Sequence, residues 1–462
     1  PQKGFFSTYK LVMNKLEAPS SLGYSTIGEV ITLASDVTSF QIGDLVACGG
    51  NSAVHADVIT VPINLAVKVP TEVDVKQAAF TTIASIAIQG IRQANLKMGE
   101  NCLIIGMGIV GQLTYKILES SAIDAIGIDI CDSQLEMCKK FGIKNVYNRN
   151  HNGLDKIIEE FTDGYGFDSV IISATSKSLD PIEYAGQAVR KKGKVIIVGQ
   201  VPTGFSRNNY YKKEIDLRMS SSYGPGRYDT AYEVKGQDYP INYVRWTENR
   251  NMKSFIKLLS SGRLNISSLI THTFMIEDSI NAYDMIVDKK ELFCGILIKY
   301  NPNVKIKRNI KISEKKYFPD NINVGLIGAG SFAQNILLPI MKGNCCFVGI
   351  MSGKGNNAKY VGDKYGFSYL YSDSKEIFTN KDINTVFVLT RHNLHSKYVI
   401  DSIKNNKNIF VEKPLAITEN ELLSIKSEYE KNKFKKHLMV GFNRRFSPAV
   451  VELKKRLIGN NN

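Results

Sequence analysis

The 462 residues of the chain are enough for about three domains at the usual ~100–200 residues each. Hydrophobic residues make up 43% and charged residues 22%, which excludes a disordered or fibrous protein, and no run of about 18 apolar residues offers a membrane span. A formal charge of +15 raises nucleic acid as a partner, but the lysines are scattered beside Asn, Asp and Glu, so neither nucleic acid nor membrane is expected.

The first residues, PQKGFFSTYK, lack the apolar core of a signal peptide and also an initiator Met, so the natural start is expected upstream. Residues 28–69 read as short strands (GEVITL, DLVACGG, ADVITVP) punctuated by Gly43, Asp44 and Pro62. Residues 75–94 read as one buried helix, apolar on nearly every side. The apolar runs CLIIG, AIGID, SVIISA and KVIIVG then alternate with helical patterns, which implies a parallel sheet covered on both faces. Residues 249–300 add a helix, a strand at 271–275, a helix at 278–287 and the strand GILIKY.

The polar stretch 301–320, which contains KIKRNIKISEKK at 305–316, reads as a solvated basic linker. After it NVGLIG, FVGIM, TVFVLT and NIFVEK repeat the alternation, followed by a helix from about Thr418 and the strand LMVGF. The expected fold is α/β, with two Rossmann-type doubly wound parallel sheets in tandem. Cysteines at 48, 102, 131, 138, 294, 345 and 346 include no CxxC, so reduced thiols in the cytoplasm explain them better than disulfides or zinc.

Gly106, Gly108 and Gly111 form a GxGxxG directly after CLII. The first glycine allows the tight turn, the second lets backbone approach a pyrophosphate, and the third lets helix pack on strand. Asp129 ends the next strand, where a carboxylate hydrogen-bonds a ribose 2′-OH and repels a 2′-phosphate, so NAD is expected here. A second fingerprint places Gly328, Gly330 and Ala333 after NVGLI. Its following strand ends without an acid and leads into Ser352 and Lys354, so this site is expected to take NADP or NAD; alternatively both residues simply face solvent. Glu412 and Lys413 end the strand NIFVEK, where the lysine could reach a nicotinamide ribose and a substrate oxygen. His392 and His395 form an HxxH without a carboxylate or cysteine partner; a helix start by the same crevice, with His395 near the cofactor, suits them better than a metal.

Residues 1–300 resemble a zinc-independent medium-chain dehydrogenase/reductase through LGYSTIGEVI, FQIGDLVACGG, HADVITVP, AAFTTIASIAIQG, GMGIVG and LITHTFMIEDSINAYD. The resemblance implies a partial GroES-like domain at 1–80, rejoined by 271–300, around a Rossmann domain at 81–270. Zinc-dependent relatives carry Gly-His-Glu where this chain has Gly23, Tyr24 and Ser25, and the four-cysteine zinc lobe is missing, so no metal is expected. Tyr24, Thr81 and Thr82 are acid/base candidates by position only.

Residues 321–446 resemble the glucose–fructose oxidoreductase/inositol dehydrogenase (Gfo/Idh/MocA) family through GAGSFA, TRHNLHSKYVIDSI, EKPLAIT and VGFNRRFSP. That implies a second Rossmann domain at 321–440, Lys413 as the catalytic lysine, and 441–462 as the truncated start of a C-terminal α+β domain. The proton-transfer group would lie on that missing domain, so the second unit is expected to bind cofactor without turnover. The fusion is similar to bacterial bi-domain oxidoreductases associated with surface-polysaccharide metabolism. SYGPGRYDTAYEVKGQDYPINYVRWTENRN (222–251) fits that class; Arg227, Arg245 and Trp246 either hold a sugar or pack the surface. The resemblance implies an NAD(P)-dependent oxidoreductase of a sugar, polyol or sugar nucleotide. A non-catalytic dinucleotide-binding module or degenerate fragment is the alternative, and homo-oligomerisation stays open.

Overall fold

The computed structural model describes residues 20–288, 290–303, 307–353 and 355–459. Lys354, the first 19 residues, part of the basic stretch and the last three residues therefore lie outside the described residues. The chain divides into one compact unit at Leu22–Val304 and another that includes Lys305–Asn462.

The first unit opens with three antiparallel strands: β1 (Ser25–Glu29), β2 (Leu45–Gly49) and β3 (Ala66–Lys68). Six parallel strands follow: β4 (Asn101–Ile105), β5 (Asp124–Asp129), β6 (Val146–Asn148), β7 (Phe167–Ile172), β8 (Val189–Ile197) and β9 (Asp216–Met219). Their order, β6-β5-β4-β7-β8-β9, is the doubly wound arrangement with its switch point between β4 and β7. Strand alternation builds two cores from the same runs. Leu103, Ile105, Val170, Ile172, Val195 and Ile197 fill one face, whereas Cys102, Ile104, Ile171 and Ile196 fill the other. The return segment supplies a parallel pair, β10 (Ile270–Met275) and β11 (Gly295–Lys299). Leu297 and Cys294 pack against the cluster of Ala47, Val67 and Phe80, so this segment rejoins the β-rich end of the unit.

The helical run expected over 75–94 is two helices, Val75–Ala78 and Thr81–Ala94. The break seats the Phe80 ring beside Gly295, where a Cβ would approach it to 2.7 Å.

The second unit repeats the design with β12 (Asn309–Lys311), β13 (Asn323–Ile327), β14 (Cys346–Met351), β15 (Tyr369–Tyr371), β16 (Thr385–Val388), β17 (Asn408–Glu412) and β18 (Leu438–Gly441). The order is β12-β15-β14-β13-β16-β17-β18, six parallel strands plus an antiparallel edge. That edge, β12, comes from the stretch expected to be a solvated linker. Pairing it with β15 covers an otherwise open strand edge, while Ile312 beyond it packs on the core. No helix among the described residues is long and apolar enough to cross a membrane.

Candidate functional site

The first glycine loop joins β4 to the helix Ile109–Ser120. Gly106 sits at φ +96°, and a Cβ there would lie 2.6 Å from the Ala174 backbone nitrogen. Gly111 is closer packed still, its Cβ position falling 2.0 Å from the Gly106 carbonyl oxygen. Gly108 differs from both: nothing lies within 4 Å of its Cβ position, so the helix N-terminus opens into free space. Backbone N–H groups and the positive helix end there suit a pyrophosphate. Asp129, at the end of β5, accepts from the Met107 N–H at 2.7 Å and the Cys131 N–H at 3.0 Å. The loop and the acid are thus one hydrogen-bonded assembly.

The second loop has the same plan. Gly328 is at φ +102° with its Cβ position 2.5 Å from the Leu389 carbonyl oxygen, Gly330 is open, and the Ala333 methyl is buried. The helix after it departs from the first, winding as a π-helix over Ala333–Leu337. Such turns often mark functional segments. The Ser352 hydroxyl, past the end of β14, accepts from Asn357 Nδ2 at 3.4 Å, and the same amide donates to the Ala329 carbonyl at 2.8 Å.

At the end of β17, Lys413 is exposed, while Glu412 accepts from the Lys413 N–H (3.1 Å) and from Asn443 Nδ2 (2.8 Å). Glu412 therefore ties β17 to the end of β18. His395 is fully buried, with Nδ1 2.6 Å from the Pro414 carbonyl oxygen and Nε2 3.1 Å from that of Thr390. Both ring nitrogens face carbonyls, so the residue expected near the cofactor clamps the turn that follows Lys413.

Of the two readings left open for Arg227, Arg245 and Trp246, the contacts found are those of packing. The Arg92 and Arg245 guanidiniums lie 3.5 Å and 3.8 Å from the Trp246 ring centroid, too close to share a face, so they occupy both. Trp246 has no face left on which to stack a sugar. Burial, then Arg245, pull Arg92 down to about 10. Arg227 is ion-paired with Glu233, both side chains being largely buried. Thr81 and Thr82 donate their hydroxyls to the Ala78 and Cys48 carbonyls, whereas Tyr24 is 48% exposed beside Gly50, whose N–H donates to its carbonyl.

One residue escaped sequence reasoning. Glu248 opens the helix Glu248–Ser260 and is fully buried. Burial pushes its carboxyl up to about 8, Glu233 adding to the effect and Arg227 and Tyr223 opposing it. An acid at a helix start reads from sequence as an exposed cap residue, so no local signal marked it.

Among the described residues no three His, Cys, Asp or Glu side chains converge as a metal site. Ser25 Oγ instead accepts from the Thr82 N–H (3.3 Å) and donates to the Ala79 carbonyl (2.7 Å).

Together these features define a chain with two Rossmann-type dinucleotide folds, each with an open glycine loop. Family comparison agrees unit by unit: residues 322–442 match the oxidoreductase family with an NAD-binding Rossmann fold, and residues 110–234 match the zinc-binding dehydrogenase family. The chain is 25% identical to sorbitol dehydrogenase 2 of Saccharomyces cerevisiae over 303 residues, covering 58% of this chain and 78% of the yeast protein. It is also 25% identical to D-guloside 3-dehydrogenase of Escherichia coli over 272 residues, covering 58% and 74%. Among solved structures, an E. coli oxidoreductase/dehydrogenase of unknown specificity shares the fold at TM-score 0.51 and 20% identity, covering 62% of this chain and 83% of that one. An alcohol dehydrogenase from Thermus sp. ATN1 does so at 0.50 and 19%, covering 63% and 89%.

Proposed function

We propose that this protein is an NAD(P)-dependent oxidoreductase that moves hydride to or from a C–OH/C=O group of a sugar, polyol or sugar nucleotide, with the first unit as its catalytic site. The observation that carries this reading is the open helix start at Gly108 tied to the Asp129 carboxylate, at the carboxyl edge of a doubly wound sheet. A bound nicotinamide would supply or accept the hydride; the protein orients it and stabilises charge. Asp129 favours NAD in the first unit through the ribose 2′-OH. The Ser352 hydroxyl and open Gly330 suit NADP or NAD in the second, where Lys413 is the residue to contact cofactor and substrate. The sugar or polyol class is supported by relatives whose names are sorbitol dehydrogenase and D-guloside 3-dehydrogenase.

In the first unit no step runs through a metal. Tyr24, a candidate by position, would hydrogen-bond a substrate oxygen, and Ser25 joins its own strand to the helix through Thr82. Seven unpaired cysteines support a reducing compartment, the cytoplasm. The test is NADH and NADPH oxidation by the purified chain over a panel of keto-sugars and ketoses. Cofactor oxidation dependent on one of them supports the reading, and cofactor binding without any turnover overturns it.

A further inference from the structure

GMGIVGQ (106–112) and GAGSFAQ (328–334) each place a glutamine directly after the fingerprint. In the first unit Gln112 Nε2 donates to the Met107 carbonyl at 2.9 Å. Gln134 Nε2, from the helix Asp132–Lys140 after β5, donates to the same oxygen at 2.8 Å. In the second unit Gln334 Nε2 donates to the Ala329 carbonyl at 2.7 Å. Asn357 Nδ2, from the helix Gly355–Tyr365 after β14, donates to that oxygen at 2.8 Å, and its Oδ1 accepts from Gln334 Nε2 at 3.1 Å. A carbonyl oxygen has two lone pairs, so two side-chain amides fill each one. The donors come from equivalent places in the two units, although the helix after the loop is α in one and begins as π in the other.

The carbonyls held in this way belong to the residue between the first two glycines. Both peptides that follow are trans, so each glycine N–H points opposite to the clamped C=O. Met107 and Ala329 are buried, whereas Gly108 and Gly330 are exposed with nothing within 4 Å of their Cβ positions. Pinning the C=O toward the protein therefore aims the Gly108 and Gly330 N–H groups at the open side of each loop. Neither N–H donates to another group among the described residues. Glycine makes such a peptide easy to turn over, because a flip of about 180° moves it to positive φ, which Gly adopts at little cost. A flipped peptide would turn its carbonyl, with a partial negative charge, toward a pyrophosphate. Met107 is anchored elsewhere too: its N–H donates to Asp129 at 2.7 Å and its side chain packs beside Gly127.

We propose that Gln112 with Gln134, and Gln334 with Asn357, are positioning residues that fix the Met107–Gly108 and Ala329–Gly330 peptides. Each pair presets one glycine N–H to donate to the cofactor pyrophosphate; this rests on the dinucleotide reading above. The four side chains act through the peptide and not by contact with the cofactor. A donor aimed before the ligand arrives spares binding the cost of ordering it.

The test uses the full chain with one loop blocked at a time. Gly330→Asp places a carboxylate in the open second loop, so that the first is read alone. On that parent, Gln112→Met with Gln134→Met keeps side-chain length and removes both donors. The double variant should bind NADH about 10-fold more weakly, the scale of one hydrogen bond to a charged group. Its affinity for adenosine, which has no pyrophosphate, should match that of the parent. With isotope-labelled glycine, NADH should move the Gly108 amide proton downfield in the parent and much less in the variant. A packing role alone would weaken adenosine equally and leave that amide response intact. Should Gln112→Met reduce folded protein, Gln134→Met at its half-buried position carries the comparison, with the same direction of effect. In the second unit, Asn357→Leu on a Gly108→Asp parent should give the same split between NADPH and adenosine. Unchanged NADH affinity in the folded variant, or equal losses for NADH and adenosine, overturns the proposal. If the parent binds no NADH, the dinucleotide reading fails by itself, and inorganic pyrophosphate becomes the probe. A Gly108 amide response to it that is present in the parent and lost in the variant upholds the clamp; equal responses overturn it.

Discussion

Asp129 Oδ2 accepts a hydrogen bond from the Met107 backbone N–H at 2.7 Å, so the acid expected to read the ribose also holds the glycine loop in shape. Asp129→Ser should therefore do two things. It removes the charge that repels a 2′-phosphate, and it frees the loop. NAD(H) affinity of the first site should fall about 10- to 100-fold, the scale of a charged hydrogen bond. NADP(H) affinity should fall less, narrowing the ratio. Calorimetric titration of both cofactors checks this, and a widened preference for NAD(H) would refute the role of Asp129.

The two glycines that flank this loop separate folding from binding. Gly108→Asp places a side chain in open space at a negative φ, so the protein should melt within a few degrees of wild type. Its carboxylate would meet the pyrophosphate, and first-site affinity should drop at least ~100-fold. Gly111→Ala pushes a methyl to 2.0 Å from the Gly106 carbonyl and should instead cost folded protein. Thermal melts with NADH titration distinguish the two outcomes.

Trp246 should prove structural. With Arg92 and Arg245 on its faces, Trp246→Leu should lower stability by about 1–2 kcal/mol. The KM for whichever sugar is active should stay within twofold of wild type. A KM raised tenfold with stability unchanged would restore the sugar-stacking role.

Glu248 also gives a stability signature with a definite sign. Its folded carboxyl is raised from the ordinary range to about 8. Between those values the folded state keeps a proton that the unfolded state has lost, so stability falls as pH rises through that window and levels off above it. Gln cannot titrate. The melting temperature of Glu248→Gln should thus gain on wild type between pH 5 and pH 9, by at least about 2–4 °C, the shift of one kcal/mol in a domain of this size. Parallel curves would mean that Glu248 is ionised throughout.

Much of this architecture could be read from local pattern. CLIIG and NVGLIG are short apolar runs followed by glycines, and a parallel strand buried on both faces needs such a run. What pattern could not supply was contact at long range. Trp246 is covered by Arg92, 154 positions upstream, and no periodicity links them. Asn309–Lys311 looked like linker because its charge dominates its composition, yet a bare strand edge at β15 recruits it. His395 read as a cofactor contact, but carbonyls of Thr390 and Pro414 surround its ring. Glu248 was hidden for the same reason: only tertiary packing decides whether an acid at a helix start sees water.

The most direct measurement is keto-sugar-dependent NAD(P)H oxidation by wild type and by Gly108→Asp at matched concentrations of folded protein. Wild type should oxidise cofactor with at least one keto-sugar, and Gly108→Asp should lose at least ~100-fold of that rate while its second glycine loop, at Gly328 and Gly330, still binds cofactor. Turnover that survives unchanged in Gly108→Asp would contradict catalysis by the first unit.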